Sequence, residues 1–416
     1  MDELVANAMA HPEGHTGRMI AVFTPSAGPA ASALLRNTLH AAAASSQDFG
    51  AAAVDFAALS TADAITFDRL GIAVLGSAAA GAAQESLAAQ AANVGIATER
   101  PYILVPETIE WAQTDIPSYL QGFRAAADRI TADLGGMLEV PAAGGWSATA
   151  NETWGLAAVD ATASAFSGRG IRIAILDTGL DLGHEDFDGR RILAQSFIAG
   201  ETPQDAHGHG THVAGTACGP SVPRSPGVRY GVAYGSDILV AKVLSNAGSG
   251  PTGGIIAGIN WAVANGAQVI NMSLANRTAT PAPAYVQAGQ QALDQGVLIV
   301  AAAGNHNEAV GQPANSPTML SVASVTAQLR KSPFSNFGKV EIAAPGSDIE
   351  SALPRPRRRG FLSGTSMAAP HVAGVAALWA EASGLRGRGL WNQLLASARR
   401  LPLPAAEVGA GLVQAP

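Results

Sequence analysis

Ser363-Gly364-Thr365-Ser366-Met367-Ala368-Ala369-Pro370-His371 reads as a turn that delivers one serine to the start of a helix. Gly364 permits a tight turn and a close backbone approach. Ser366 opens a run of small apolar residues from Ala368 to Ala380. Pro370 falls near the first turn, where a missing N–H costs little. A hydroxyl at a helix N-terminus sits in a field that favours negative charge, with backbone N–H groups directed at it. Nucleophilic attack on a carbonyl needs those features. A plain N-cap before a buried helix needs the same residues, so the partners elsewhere in the chain decide.

Three upstream segments supply candidate partners. Asp177 directly follows the apolar run Ile171 to Leu176 and precedes Thr178-Gly179. An acid at a strand's carboxyl end can hold an imidazole in one tautomer, and it can equally cap a turn. His207-Gly208-His209-Gly210-Thr211-His212 carries three histidines, with Asp205 just before them. The cluster suits a metal site with Asp205 as an extra ligand, or a single base at the start of a helix. Val297 to Ala303 runs as a buried strand into Gly304-Asn305. Asn305 there is either a turn residue or a side-chain N–H donor for an oxyanion.

The pattern around these segments predicts an α/β fold. Ile171 to Leu176, Ile238 to Val243, Val269 to Leu274 and Val297 to Ala302 are β-rich apolar runs, with helix-like stretches between them at His209 to Ala217, Gly253 to Asn265 and Tyr285 to Gln295. Near-continuous apolar strands alternating with helices predict a mainly parallel sheet covered on both faces. Ligands of such sheets bind beyond the strands' carboxyl ends, where the candidates above fall. Pro354 to Arg359 is the only dense charge run, either a solvated loop or a contact for an acidic segment.

The first third reads differently. Met19 to Thr24, Ala52 to Phe56, Gly71 to Leu75 and Tyr102 to Val105 are strand-like, Pro29 to Ala44 and Ala82 to Ala92 helix-like, and Ser60 to Asp63 turn-like. Strand, helix, strand, strand, helix, strand is the order of a small ferredoxin-like α+β unit. Ile116 to Leu134 carries one apolar face at spacings of four and three, and Gly135-Gly136 ends it. The short small-residue stretch Pro141 to Gly145 predicts a domain boundary. The expected organisation is a flexible N-terminus over 1–17, an α+β domain over 18–115, a helix and linker over 116–151, and the main domain over 152–416.

Composition bounds the function. A chain of 416 residues, 48% hydrophobic and 14% charged, can bury a large core. A formal net charge of -7 argues against a general nucleic-acid binder. The single cysteine, Cys218, excludes an internal disulfide. Met1 to Gly17 lacks a basic head followed by an apolar stretch, so it does not read as a secretory signal. No apolar run reaches transmembrane length, so no membrane partner is expected. The default compartment is the cytoplasm, or outside the cell if a signal has been removed.

At four points the chain resembles the subtilisin-family serine proteases, the subtilases. Asp177-Thr178-Gly179 is similar to the family's aspartate motif, His209 to Gly215 (HGTHVAG) to its histidine motif, and Gly364 to Pro370 (GTSMAAP) to its serine motif. The order aspartate, histidine, serine is the subtilisin order, and that family is a standard example of it and of the asparagine donor. The resemblance covers about Thr153 to His371 closely. It implies a subtilisin-like fold and a serine endopeptidase acting on polypeptides. Ser366 would be the nucleophile, His209 the base and Asp177 its orienting partner. Asn305 and the Ser366 N–H would hold the oxyanion. His212 then becomes structural and His207 falls outside the motif.

The resemblance also implies that Gly248, Ser249 and Gly250 on one side and Ser273, Leu274 and Ala275 on the other flank an extended peptide. Ala302, Ala303 and Gly304 would wall the main specificity pocket. Ala275 stands where the family usually has Gly, and Thr252 near a position often aromatic. Asp186 matches a calcium-ligand position, but the partner loop Gly219 to Gly227 lacks the usual asparagine and carries Arg224. No cofactor is therefore required, with calcium as the open alternative. The N-terminal third resembles the family's propeptide, an intramolecular inhibitor and folding assistant of a zymogen removed by autocatalytic cleavage. Here the helix Ile116 to Leu134 intervenes, so cleavage is expected after about Trp111, in the Met137 to Asn151 linker, or not at all. Two other readings remain: a processing protease dedicated to one partner or precursor, and a catalytically silent peptide-binding scaffold.

Overall fold

The computed structural model describes residues 18–23, 35, 43–49, 54, 63–76, 97–99, 103–106 and 145–416. The helices expected over Ala82 to Ala92 and Ile116 to Leu134, the N-terminal 17 residues, and most of the Met137 to Asn151 linker lie outside these residues. So does the strand expected over Ala52 to Phe56, except Val54.

An N-terminal sheet holds β1 (Met19–Val22), β2 (Ala43–Ser45), β3 (Ala64–Phe67), β4 (Ile72–Leu75) and β5 (Ala97–Glu99), in the order β2-β3-β4-β1-β5. β1, β3 and β4 are buried at every position, and Ile20, Val22, Ile65, Phe67, Ile72 and Val74 join the main hydrophobic core. Two expectations change here. Ala43 and Ala44, read as the end of a helix, belong to an edge strand paired parallel to β3. Of Tyr102 to Val105, read as the last strand of this unit, the described residues Ile103 to Val105 are not part of it. β5 takes the place beside β1, and β6 (Ile103–Pro106) leaves the sheet for the main domain. An apolar run specifies a strand but not its partner.

The remaining strands are β7 (Arg172–Asp177), β8 (Ile192–Ser196), β9 (Asp237–Lys242), β10 (Gly250–Pro251), β11 (Val269–Met272), β12 (Leu274–Ala275), β13 (Leu298–Ala302), β14 (Leu320–Val325), β15 (Ile342–Pro345), β16 (Ile349–Ala352) and β17 (Arg359–Leu362). Seven form a parallel sheet in the order β15-β14-β13-β11-β7-β9-β8. The four apolar runs expected as strands are its centre, β13-β11-β7-β9. The outer strands β8, β14 and β15 were not anticipated, their stretches being shorter or more mixed.

Five helices matter for the site: α1 (His209–Cys218), α2 (Thr252–Ala264), α3 (Pro283–Asp294), α4 (Thr365–Ser383) and α5 (Gly387–Ser397). α4 is buried without a break from Thr365 to Leu378, between α1 and strands β11, β13, β14 and β15. Apolar residues on every side are what a helix through a core requires. α3 packs on β13, and the N-terminal sheet rests on α3 through β1, β4 and β5. β16 and β17 form an antiparallel hairpin with Pro354 to Arg359 near its tip.

Candidate active site

Asp177 ends β7 at the carboxyl edge of the central sheet. Its Oδ1 accepts Thr178 N–H at 2.7 Å and the Nδ1 of His209 at 2.7 Å. Both side chains are buried. His209 is the first residue of α1, and Asp205 fixes that helix start. Asp205 Oδ1 accepts from Thr178 Oγ1, His207 N and Gly208 N at 3.0, 2.9 and 2.8 Å. Its Oδ2 accepts from Thr211 N at 2.9 Å and Thr211 Oγ1 at 2.7 Å. A carboxylate here satisfies orphan donors of the first turn and matches the helix dipole. The two motifs also meet backbone to backbone, because a side chain at Gly210 would collide with the Gly179 carbonyl. His209 Nε2, facing away from Asp177, has no hydrogen-bond partner among the described residues.

The three histidines do not converge. His212 Nε2 bonds the Ile349 carbonyl at 2.9 Å and the Gly360 carbonyl at 3.3 Å. Burial, with a smaller push from His209, takes His212 down to about 3, so it is neutral. Asp205 is the helix cap. Among the described residues no group of three or more His, Cys, Asp or Glu side chains is arranged to hold a metal.

Ser366 is the second residue of α4. Pro370 lies inside this helix, beyond the first turn where its spacing had placed it. A proline inside a helix removes the hydrogen bond to the carbonyl four residues back, here that of Ser366. Ser273 Oγ donates to that carbonyl at 2.7 Å. Ser366 Oγ in turn donates to the Ser273 carbonyl at 3.3 Å. The interrupted helix therefore ties the serine to one flank of the cleft.

Asn305 follows β13 through Ala303 and Gly304. Gly304 has φ +105°, and a side chain there would collide with Asn336. The Asn305 amide has one orientation. Its Oδ1 accepts Thr365 N at 2.8 Å and Thr365 Oγ1 at 3.0 Å, while Thr365 Oγ1 accepts Gly304 N at 3.0 Å. Its Nδ2 is buried and has no partner among the described residues. A fixed donor with nothing to donate to is what an oxyanion site needs. The sequence pointed to Asn305, but nothing in it pointed to Thr365 as the residue that aims it.

The expected flanking segments hold a strand between them. β6 pairs antiparallel with β10 on one side and β12 on the other, giving the order β10-β6-β12. Ser249 lies in the turn before β10, where Ser245 N–H bonds its carbonyl at 2.8 Å, and Gly248 has φ +81°. Ala275 is buried and lies opposite Val105. Ala302, Ala303 and Gly304 are buried beside Asn305.

Lys242 is a residue that the sequence reading did not single out. It ends β9 wholly buried, with Nζ 2.5 Å from the Thr178 carbonyl, 2.9 Å from Asn246 Oδ1 and 3.1 Å from Glu201 Oε2. It joins the aspartate motif to the segment leading into β10. A lysine at the carboxyl end of an apolar strand beside the Asp177 strand is the signal that was available.

The comparisons with known proteins bear on this geometry. The model of the subtilase family matches residues 168–411. A subtilisin-like protease 1 of Trichophyton rubrum is 39% identical over 260 residues, covering 58% of this chain and 49% of that protein. One of Arthroderma gypseum is 38% identical over 260 residues, covering 58% and 52%. The chain thus spans about half the length of the curated relatives it matches. A crystal structure of a cold-adapted subtilisin-like serine proteinase superposes with a TM-score of 0.53 at 37% identity, over 60% of this chain and 89% of that one. The seven-stranded sheet, the aspartate at the end of β7 and the serine at the start of α4 lie within the matched region, and the chain belongs to the subtilase family.

Proposed function

We propose that this chain is a serine endopeptidase. The observation that carries the reading is the buried Asp177–His209 pair at 2.7 Å, together with an Asn305 amide that Thr365 orients and whose Nδ2 has no partner among the described residues. Asp177 holds His209 in the tautomer with a proton on Nδ1. That leaves Nε2 to take the Ser366 proton as Oγ attacks a peptide carbonyl, and later to pass it to the leaving amine. Asn305 Nδ2 and the Ser366 N–H receive the oxyanion. The substrate is a polypeptide laid as a strand between β10 and β12, where β6 lies now, so main-chain bonds supply affinity. With β6 in that position, the N-terminal segment acts as an intramolecular inhibitor of a zymogen.

Asp186 fits a cation poorly. It accepts Arg224 N at 2.6 Å, Ser225 N at 2.8 Å, Ser225 Oγ at 2.5 Å and Tyr230 Oη at 2.7 Å. Burial works to raise its pKa, and these donors outweigh it and hold the carboxyl below its usual range. Protein donors fill the oxygens that a hard cation would need, so no metal enters the proposed chemistry.

Peptide hydrolysis by single variants tests the reading. Ser366→Ala and His209→Ala should each lose about three or more orders of magnitude in kcat. His207→Ala should keep near wild-type turnover. Wild-type turnover in His209→Ala would sink the assignment.

A further inference from the structure

Lys242 holds a charge where no part of it reaches solvent, at the end of β9 and in register with Asp177 on β7. Its three N–H donors meet three oxygens, on Thr178, Asn246 and Glu201. Each oxygen belongs to a different loop. The Thr178 carbonyl lies in the aspartate motif, where Thr178 N–H also fixes Asp177 Oδ1 at 2.7 Å. Glu201 opens the loop that runs through Asp205, the cap of α1, to His209. Asn246 sits in the turn that leads through Ser249 into β10, one flank of the cleft. The loops are also bonded to one another around the ammonium. The Glu201 carboxylate accepts Asn246 N–H at 2.9 Å, and Asn246 Oδ1 accepts Ala206 N–H at 3.1 Å. A backbone route runs beside them. Val243 N–H donates to the Asp177 carbonyl at 2.9 Å, and the Val243 carbonyl leaves no room for a side chain at Gly250. Burying an ammonium is costly, and an apolar side chain of similar size is often the more stable choice. What the ammonium supplies here is a bonded relation among three loops that an apolar residue could not make.

We propose that Lys242 is a positioning residue, one that fixes the β10 flank and the Asp177–His209 pair relative to one another, so that a peptide held along β10 meets the triad in register. This rests on the serine endopeptidase reading. Wholly buried, Lys242 does not meet the substrate. It acts on the aspartate through Thr178, and on the flank through Asn246 and Glu201. Along the strand now in the cleft, β12 pairs with Val105 and Pro106, and β10 with Ile103 and Leu104. Ser273, just before β12, bonds Ser366, so β10 receives the part of a peptide farther from the nucleophile. Binding of such remote residues speeds the reaction only if it holds the reacting carbonyl against the nucleophile. Without the ammonium the flank still binds a strand, but its position no longer follows the triad.

The test compares two substrates of the full chain, acetyl-Leu p-nitroanilide and acetyl-Ala-Ala-Ala-Leu p-nitroanilide, of which only the longer reaches β10. The ratio of their kcat/KM values is independent of how many molecules are active and of how often β6 occupies the cleft, because both scale the two rates alike. A loss of stability alone therefore leaves the ratio unchanged. Lys242→Met should lower it about tenfold, through kcat more than KM. Asn246 is exposed and Glu201 partly so, and Asn246→Ala and Glu201→Gln should fold normally and each lower the ratio about threefold. A wild-type ratio in both of these overturns the proposal, whether or not Lys242→Met folds. A folded Lys242→Met that slows both substrates equally also overturns it and leaves the endopeptidase reading standing. A wild type that hydrolyses neither anilide nor any other peptide overturns both readings.

Discussion

Thr365 spends both its backbone N–H and its hydroxyl on the Asn305 amide oxygen. Replacing it with Val keeps the shape and removes one of the two bonds. The amide then turns more freely, and part of the oxyanion stabilisation is lost. Thr365→Val should lower kcat about tenfold, the effect of about 1.4 kcal/mol, with KM little changed. Asn305→Ala should cost about a hundredfold or more. Steady-state kinetics on one peptide compare them, and equal losses in the two variants would show that Thr365 does more than aim the amide. Two buried histidines set a different residue-scale property. Burial pushes His212 down to about 3 and His371 down to about 4, against an ordinary value of 6.5. Both are neutral in the fold and take up protons on unfolding once the pH falls below 6.5. Their contribution is intact above that value and declines as the pH falls toward the folded values. Each costs about 1.4 kcal/mol per pH unit in that window. Melting temperature from pH 7 to pH 4.5 should fall less steeply in His371→Gln than in wild type. Identical slopes would contradict it.

The hairpin carrying Pro354 to Arg359 shows how an element can use charges that a sequence leaves unassigned. The run reads as a solvated loop or as a contact for an acidic partner. In the fold Arg355 holds Asp181 with Nε and Nη2, each at 2.9 Å. Arg358 pairs with Glu185 at 2.6 Å, and Arg359 pairs with Glu350 at 3.2 Å and lies over the Tyr230 ring. The Arg355–Asp181 and Arg358–Glu185 pairs and the Arg359–Tyr230 contact clamp the hairpin onto the loops beside α1, while Arg359–Glu350 ties its two strands together. Burial works to raise the Asp181 pKa, but bonds from Arg355, Gln204 and Gly183 outweigh it and lower it strongly. Arg355→Ala leaves a buried carboxylate with fewer donors. Half of the Arg355 side chain is exposed, so solvent screens the pair and the loss should be modest, a fall of about 2–5 °C in Tm. Arg357, which has no ion pair among the described residues, should tolerate Ala within about 0.5 kcal/mol. Equal shifts in both would refute the clamp. The same contrast explains what was legible in the sequence. The centre of the sheet and α1 to α4 were readable because long apolar runs and short motifs are local signals. Asp205 as a cap, Lys242 as a tie and the arginine clamp were not, because each depends on a partner that only the fold supplies. Pro370 was placed a turn too early because helix α4 starts at Thr365, and its compensation by Ser273 comes from more than ninety residues away.

At the scale of the whole molecule, the N-terminal sheet leans on α3 and sends β6 into the cleft, so the two parts meet at two separated places. The sequence predicted a small α+β unit ahead of a protease-like domain, and the described residues show strands of that unit. It did not reveal which strand crosses between them, because Tyr102 to Val105 suits either sheet. On the proposed reading, this crossing keeps the full chain latent: a substrate strand can enter only when β6 leaves. The second contact, through α3, holds β6 at high effective concentration and keeps it in place even where its own pairing is short. Val105→Pro tests this directly. Proline removes a ladder donor and fixes φ, which weakens a strand paired on both edges. The triad residues and the α3 contact are left as they are. The readout is the initial rate at which a serine-directed phosphonate labels Ser366, taken before any chain is cut. Val105→Pro should label about tenfold faster than wild type or more, with an unchanged melting temperature for the main domain. A variant that folds normally and labels no faster would mean that β6 does not limit access to Ser366, and the N-terminal segment would then need a role other than inhibition.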